Sequence, residues 1–356
     1  MVHKVLLTIL ILIFAPAVFA QSGRIKPTET PTPAPTPRRT TGSYNPTEKI
    51  ISVPNTTATT NPKSEDDGDV IKVESTLVPI PVSVLNDGGL PVANLKLEDF
   101  VLQIDGKTVE IGDLARSETP VRLAVLFDNS SSVSIAREFE KKAAVRFFRR
   151  VIRPEKDLVA LFSVATVSRL EQPLTKDVSL LVQAIENFAP PSGATALLDG
   201  IIEAANYMKE AGGRRVIVIV SDGDDTISDA SFEGALQALQ LANCQVYVVK
   251  TTDFENAIRT GQRTGNANLR QLAAERRMQE FASQTGGAVY SPIDEDELDR
   301  AFAQISGELS QQYILSYYPE NERDKRGEFR TISLSVKNRQ NLQVRTRKGY
   351  YVPKQR

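Results

Sequence analysis

The chain has 356 residues, 41% hydrophobic and 24% charged, with no Trp, one Cys (Cys244) and one His (His3). With a lone thiol and a lone imidazole at the very start, the body of the chain cannot carry Ser-His-Asp or Cys-His catalysis, a thiolate zinc cluster or an intrachain disulfide. A formal net charge of −1, or −2 once residues 1–20 and their Lys4 are set aside, argues against a nucleic-acid partner.

Lys4 precedes the apolar run VLLTILILIFAPAVFA, which ends in Val18-Phe19-Ala20. A basic start, a short apolar core and small residues at −3 and −1 predict a secretory signal over residues 1–20, cut before Gln21. The run is broken by Pro16 and falls short of the roughly 20 residues that span a bilayer. The expectation is an exported protein with no stable transmembrane span after cleavage, in the periplasm, at the cell surface or outside the cell. Residues 21–68 are dominated by Pro, Thr and charge and read as a disordered tether.

From residue 69 the pattern changes to strand-like alternation. VIKVESTLVPIPVSVL closes on the turn signal Asn86-Asp87-Gly88-Gly89, and LKLEDFVLQIDGKTVEIGDL turns at Asp105-Gly106. Residues 69–118 thus predict a small β module, too short for an independent core. From Val121 strands alternate with helices. RLAVLFD, DLVALFSVA, RRVIVIVSD, CQVYVVK and AVYSP read as strands. Amphipathic helices fall between them, and the last, DELDRAFAQISGEL, follows. The stretch 251–268 reads as a loop. Residues 119–310 are therefore expected to form an α/β domain with a doubly wound, mostly parallel sheet. Residues 311–356 return to β (QQYILSYYP, EFRTISLSV, LQVRTRKGYYV) and are expected to pack on the N-terminal module.

In such a sheet ligands bind at the carboxyl ends of the strands. There the sequence supplies Asp128-Asn129-Ser130-Ser131-Ser132, Asp222-Gly223-Asp224-Asp225 and, between two helices, Gly193-Ala194-Thr195. Three loops offer carboxylates and hydroxyls alone, a donor set suited to magnesium, manganese or calcium. Neutral hydroxyl ligands leave a cation with residual charge and an appetite for a further anion.

Strand-Asp-x-Ser-x-Ser, a later Gly-x-Thr before a helix and strand-Asp-Gly, in that order, resemble the von Willebrand factor type A domain and its metal-ion-dependent adhesion site. The resemblance covers about residues 119–310. With LPVANLKLEDFVLQIDGKTVEIGDL and the β tail, it extends to exported bacterial von Willebrand A-related proteins of the acidobacterial type. It implies that Ser130, Ser132 and Thr195 ligate magnesium, with Asp128 and Asp222 holding it directly or through water. The open position would take an Asp or Glu of a partner protein, making the site one of adhesion rather than catalysis.

Around these five, Asp224 and Asp225 either strengthen cation capture or cap the following helix, and capping is the simpler role. Asp199 is either an orienting partner of the Thr195 loop or a first-turn helix acid. Arg259 and Arg263 either steer an acidic partner or lie in a solvated loop. The rival function is a metal-assisted hydrolase with Asp224 or Asp225 as base; a third reading is a degenerate scaffold without metal.

Overall fold

The computed structural model describes residues 77–116, 119–135, 137–153, 155–261, 268–319, 326–337 and 339–352. The chain divides into two compact units, Met1–Asp69 and Val70–Arg356, and every described residue lies in the second. The expected signal, the tether, the opening of the β module, Arg263 and the last four residues lie outside the described residues. Among the described residues no helix is long and apolar enough to cross a membrane.

The N-terminal part contributes β1 (Val78–Leu85), β2 (Phe100–Ile104), β3 (Lys107–Val109) and β4 (Asp113–Arg116). The α/β part follows with β5 (Val121–Asp128), α1 (Arg137–Val151), β6 (Leu158–Val164), β7 (Ser168–Thr175), α2 (Val178–Glu186) and α3 (Leu197–Lys209). It continues with β8 (Arg214–Ser221), α4 (Phe232–Leu241), β9 (Cys244–Lys250), α5 (Thr252–Thr260), α6 (Leu269–Thr285), β10 (Val289–Tyr290) and α7 (Glu295–Gln311). The tail adds β11 (Tyr313–Tyr317), β12 (Phe329–Val336), β13 (Gln343–Thr346) and β14 (Gly349–Tyr351).

The central sheet has the order β10-β9-β8-β5-β6-β7. All its neighbours are parallel except β7, which runs antiparallel to β6. Its middle strands are apolar on both faces because helices cover both. Leu123, Val125 and Phe127 of β5 face α1, α2 and α7, where Phe147 stacks on Phe302 at 4.4 Å. Ala124 and Leu126 face α3, α4 and α6.

Two departures from the sequence expectation lie here. The strand β7 was not expected: SRLEQPLT carries Glu171, Gln172 and Pro173 and buries no residue fully. It survives as an edge strand, where a missing N–H is tolerated. The stretch 251–268, expected as a loop, begins with helix α5, which ends at Gly261 in the left-handed conformation (φ 69°). Phe254 and Glu255 of α5 are buried, so tertiary packing stabilises a nine-residue helix too short to persist alone.

The N- and C-terminal strands build two antiparallel four-stranded sheets, β13-β1-β11-β4 and β14-β12-β2-β3. Ile80, Val82, Phe100, Leu102, Tyr313 and Leu315 share their common core. The segment LQVRTRKGYYV, expected as one strand, is two strands in two sheets. Only the Asp105-Gly106 signal makes a regular hairpin, joining β2 and β3 with both residues at positive φ, 49° and 76°. Asn86–Gly89 closes no more than an isolated bridge, Leu85 to Pro91, because β1 pairs with β11 and β13 instead.

The two parts meet where α7 passes into β11 through one residue, Gln312. Its buried amide donates to Ser83 Oγ and Gln245 Oε1 (3.1 Å each) and accepts from Arg214 (2.7 Å). Beside it, Glu308 of α7 accepts from Tyr247 (3.1 Å), Tyr290 (2.8 Å) and Arg345 of β13 (3.1 Å).

The start of β5 is held by Asp157, which accepts the Val121 N–H (2.8 Å) and two bonds from the Arg153 guanidinium (2.7 and 2.8 Å). Burial alone would raise the Asp157 carboxyl, but the Arg153 and Val121 hydrogen bonds reverse that and hold it below the ordinary value. A depressed carboxyl stabilises the fold above its unfolded pKa of about 3.9, and the gain is lost as pH falls through the folded value. Below about pH 4, urea titrations of Asp157→Asn should therefore lose stability less steeply than wild type. Parallel slopes for the two proteins would contradict this.

Candidate metal centre at the carboxyl edge of the sheet

The apolar runs of β5 and β8 end together, with Phe127 opposite Val220, so Asp128 and the Ser221-Asp222 pair emerge side by side. Asp128 is 4% exposed. Its Oδ1 accepts the Ser130 N–H (2.9 Å) and its Oδ2 accepts the Ser221 hydroxyl (2.6 Å). Ser130 Oγ lies 2.9 Å from Ser132 Oγ. Burial raises the Asp222 carboxyl, against the Asp224 N–H that its Oδ1 accepts at 2.9 Å and the nearby Ser132 side chain. Gly223, at φ 80°, supplies the reversal that lets the Asp224 N–H fold back.

The third loop is tied to the first by backbone bonds, Ser131 N–H to Gly193 O (3.2 Å) and Ser192 N–H to Asn129 O (3.1 Å). Arg137 locks the pairing from outside, donating to Asn129 Oδ1, Phe188 O and Ala189 O. Gly193 also sits at positive φ, and a Cβ there would lie 2.3 Å from Thr166 Oγ1. Thr195 is buried and bridges to Thr226 through its N–H and carbonyl (2.9 Å each). Thus Asp128, Ser130, Ser132 and Asp222 form one linked group, and Thr195 joins it through the loop backbone.

The surrounding residues are engaged in local contacts. Asp225 caps α3, not the helix that follows it: its Oδ1 accepts the N–H groups of Leu197 (2.8 Å) and Leu198 (3.1 Å). The N-cap of α3 is Ala196, which has no acceptor side chain, so the neighbouring loop supplies one. The following helix, α4, is capped by Ser231. Asp224 pairs with Arg270 at 2.7 Å. Asp199 accepts the N–H groups of Asp229 (3.1 Å) and Ala230 (3.0 Å), so it orients that stretch and not the Thr195 loop. Arg259 is exposed on α5, bonds Asn256 Oδ1 (2.6 Å), and its charge acts on Glu255.

Two acids near the centre were missed in the sequence. Glu140 of α1 is 1% exposed, and its Oε1 has no hydrogen-bond partner. It sits on the helix stripe of Ala143, Ala144 and Phe147, where a charge is out of place; that was the available signal. Glu255 was hidden because its segment read as loop. Burial, and then Asp222, pushes the Asp128 carboxyl up to about 6. Burial and Asp222 likewise raise Glu255 to about 7, and burial with Asp128 raises Glu140 well above the usual carboxylate range.

This concentration of buried negative charge, facing hydroxyls and with one carboxylate oxygen orphaned, fits a hard divalent cation. Among the described residues no three Asp, Glu, His or Cys side chains gather as a metal-binding group. A cation here would therefore depend on the serine and threonine oxygens as well as the carboxylates.

Residues 123–224 match the family model of the von Willebrand factor type A domain. Among solved structures, a von Willebrand factor type A protein from Catenulispora acidiphila is 11% identical, covering 80% of this chain and 76% of its own, with a TM-score of 0.45. An aerotolerance-related membrane protein from Bacteroides fragilis is 21% identical over 53% of this chain and 98% of its own, TM-score 0.40. Proximal thread matrix protein 1 of the mussel byssus is 15% identical over 58% and 51%, TM-score 0.44. No curated protein sequence matches the chain. The chain contains a von Willebrand factor type A domain, built around the sheet that carries Asp128 and Asp222.

Proposed function

We propose that the protein is an exported, non-catalytic binding module that holds an Asp or Glu of a partner protein through a magnesium ion, or manganese or calcium in its place. The observation that carries this reading is the linked oxygen group of Asp128, Ser130, Ser132 and Asp222, brought to one edge by two adjacent parallel strands. When bound, the cation supplies a Lewis-acidic position for a carboxylate oxygen. The chain's own residues set the geometry: Ser221 and the Ser130 N–H orient Asp128, and the Gly193 and Asn129 carbonyls hold the serine loop against the threonine loop. Export rests on the signal pattern of residues 1–20 and the Pro/Thr character of residues 21–68.

Weighing against the hydrolase alternative are the other contacts of its candidate bases. Asp224 is ion-paired with Arg270, and Asp225 caps α3 while also accepting the Ser228 hydroxyl (2.5 Å). The reading is tested by probing the full mature chain with peptides carrying one Glu or Asp and their Gln or Asn counterparts. Binding is expected only for the acidic peptides and only with magnesium. Equal binding in EDTA, or by the amide peptides, would overturn it.

A further inference from the structure

At the opposite edge of the central sheet, where β8 and β9 begin, a partly open cavity of about 310 Å³ lies between the α/β domain and the β sandwich. Its walls combine apolar groups, among them Leu77, Val78 and Ile314, with three arginines: Arg214, Arg215 and Arg347. Those three are the only charged side chains lining it among the described residues, and no lining side chain is acidic.

Each guanidinium is held by neutral acceptors. Arg214, 8% exposed, donates to Gln312 Oε1 (2.7 Å) and Leu309 O (2.6 Å), and its Nε has no partner. Arg347 donates to Pro79 O (2.8 Å) and Asn243 Oδ1, lies 5.7 Å from the Tyr350 ring centre, and also leaves its Nε unpartnered. Arg215 donates to Ala211 O (2.7 Å) and Ala242 O (2.8 Å). The carboxylate that acts on Arg214 from a distance, Asp157, is itself engaged by Arg153.

Burial lowers both Arg214 and Arg347 to about 10, the direction expected of positive charge enclosed without a counterion. A buried guanidinium, Arg214, and a half-buried one, Arg347, each with an idle Nε–H and no acid among the residues lining the cavity, are costly unless something anionic arrives. The planar fork of a guanidinium matches a carboxylate in two-point contact. The apolar wall demands more than a bare ion. A volume near 300 Å³ is at the small end of ligand pockets.

We infer that this cavity is a binding site for a small apolar monocarboxylate, with the acid group at the arginines and the hydrocarbon against Leu77, Val78 and Ile314. The site is independent of the metal edge, since the eight residues of β8 separate the two by about 25 Å. It also differs in kind, taking an anion directly on protein cations.

Calorimetric titration of the full mature chain with decanoate tests this, with acetate, inorganic phosphate and decanol as comparison probes. Saturable one-to-one binding of decanoate is expected, at least tenfold tighter than any comparison probe. Arg347→Met and Arg215→Met should each weaken decanoate at least tenfold and leave decanol unchanged. Arg215→Met, whose side chain is bonded only to two carbonyls, serves where Arg347→Met fails to fold. Decanol binding as tightly as decanoate, phosphate binding as tightly as decanoate, no saturable decanoate binding, or unchanged affinity in a folded arginine variant would each overturn the inference.

Discussion

Magnesium should stabilise the wild-type protein, and Asp128→Ala should abolish that stabilisation while leaving the domain folded. At a magnesium concentration one hundred times its dissociation constant, a ligand bound only to the native state adds about 2.7 kcal/mol, or roughly 5–10 °C in Tm for a domain of this size. Wild type should show that shift and the variant none. The physical reason is placement: Asp128 is the carboxylate reached both by the serine loop, through Ser130, and by β8, through Ser221. Removing it also orphans those donors, so Asp128→Asn is the cleaner partner, keeping the shape without the charge. In EDTA, Asp128→Asn should be at least as stable as wild type at neutral pH, because the buried charge it deletes sits beside Asp222, Glu140 and Glu255. An equal magnesium shift in wild type and both variants would sink the proposed site.

The second large effect is expected at Glu308. Its carboxylate is 2% exposed and is the shared acceptor for Tyr247, Tyr290 and Arg345. Glu308→Ala leaves an unpaired guanidinium and two hydroxyls without their acceptor, which should cost about 3–5 kcal/mol. Glu308→Gln, which still accepts, should cost less. In urea unfolding, Glu308→Ala combined with Arg345→Ala should be less damaging than the two single losses summed, since the second change removes the charge that the first exposes. Additive losses would mean that the pair is not coupled across the junction.

The parts of the fold that were plain in the sequence are those where burial is two-sided. RLAVLFD and RRVIVIVSD read as central strands, and their carboxyl ends place Asp128 and Asp222 at one edge of the sheet. Less plain were the parts stabilised from elsewhere. Strand β7 hides behind Glu171, Gln172 and Pro173 because an edge strand needs no continuous apolar run. Helix α5 was lost in a polar stretch because Phe254 and Glu255 are buried by neighbours remote in sequence. The division of LQVRTRKGYYV between β13 and β14 depends on which sheet each half meets, and local alternation cannot report that. The same holds for Asp225, whose capping partners lie 27–28 residues back along the chain. Glu140 was visible as an odd charge on an apolar stripe, but its neighbours became known only with the fold.

The single-residue joint at Gln312 has a mechanical consequence. With no slack between α7 and β11, a shift of α7 along its axis must pull β11 along with it. That strand is zipped to β1 on one side and β4 on the other. A strand cannot creep: a one-residue slip would turn Tyr313, Leu315 and Tyr317 out of the core and Ile314 and Ser316 into it. The sandwich therefore acts as a stop on the last helix of the neighbouring domain. A displacement of α7 thus meets a stiff element, and an excised 119–310 fragment, with that stop removed, would respond to pulling differently from the whole chain.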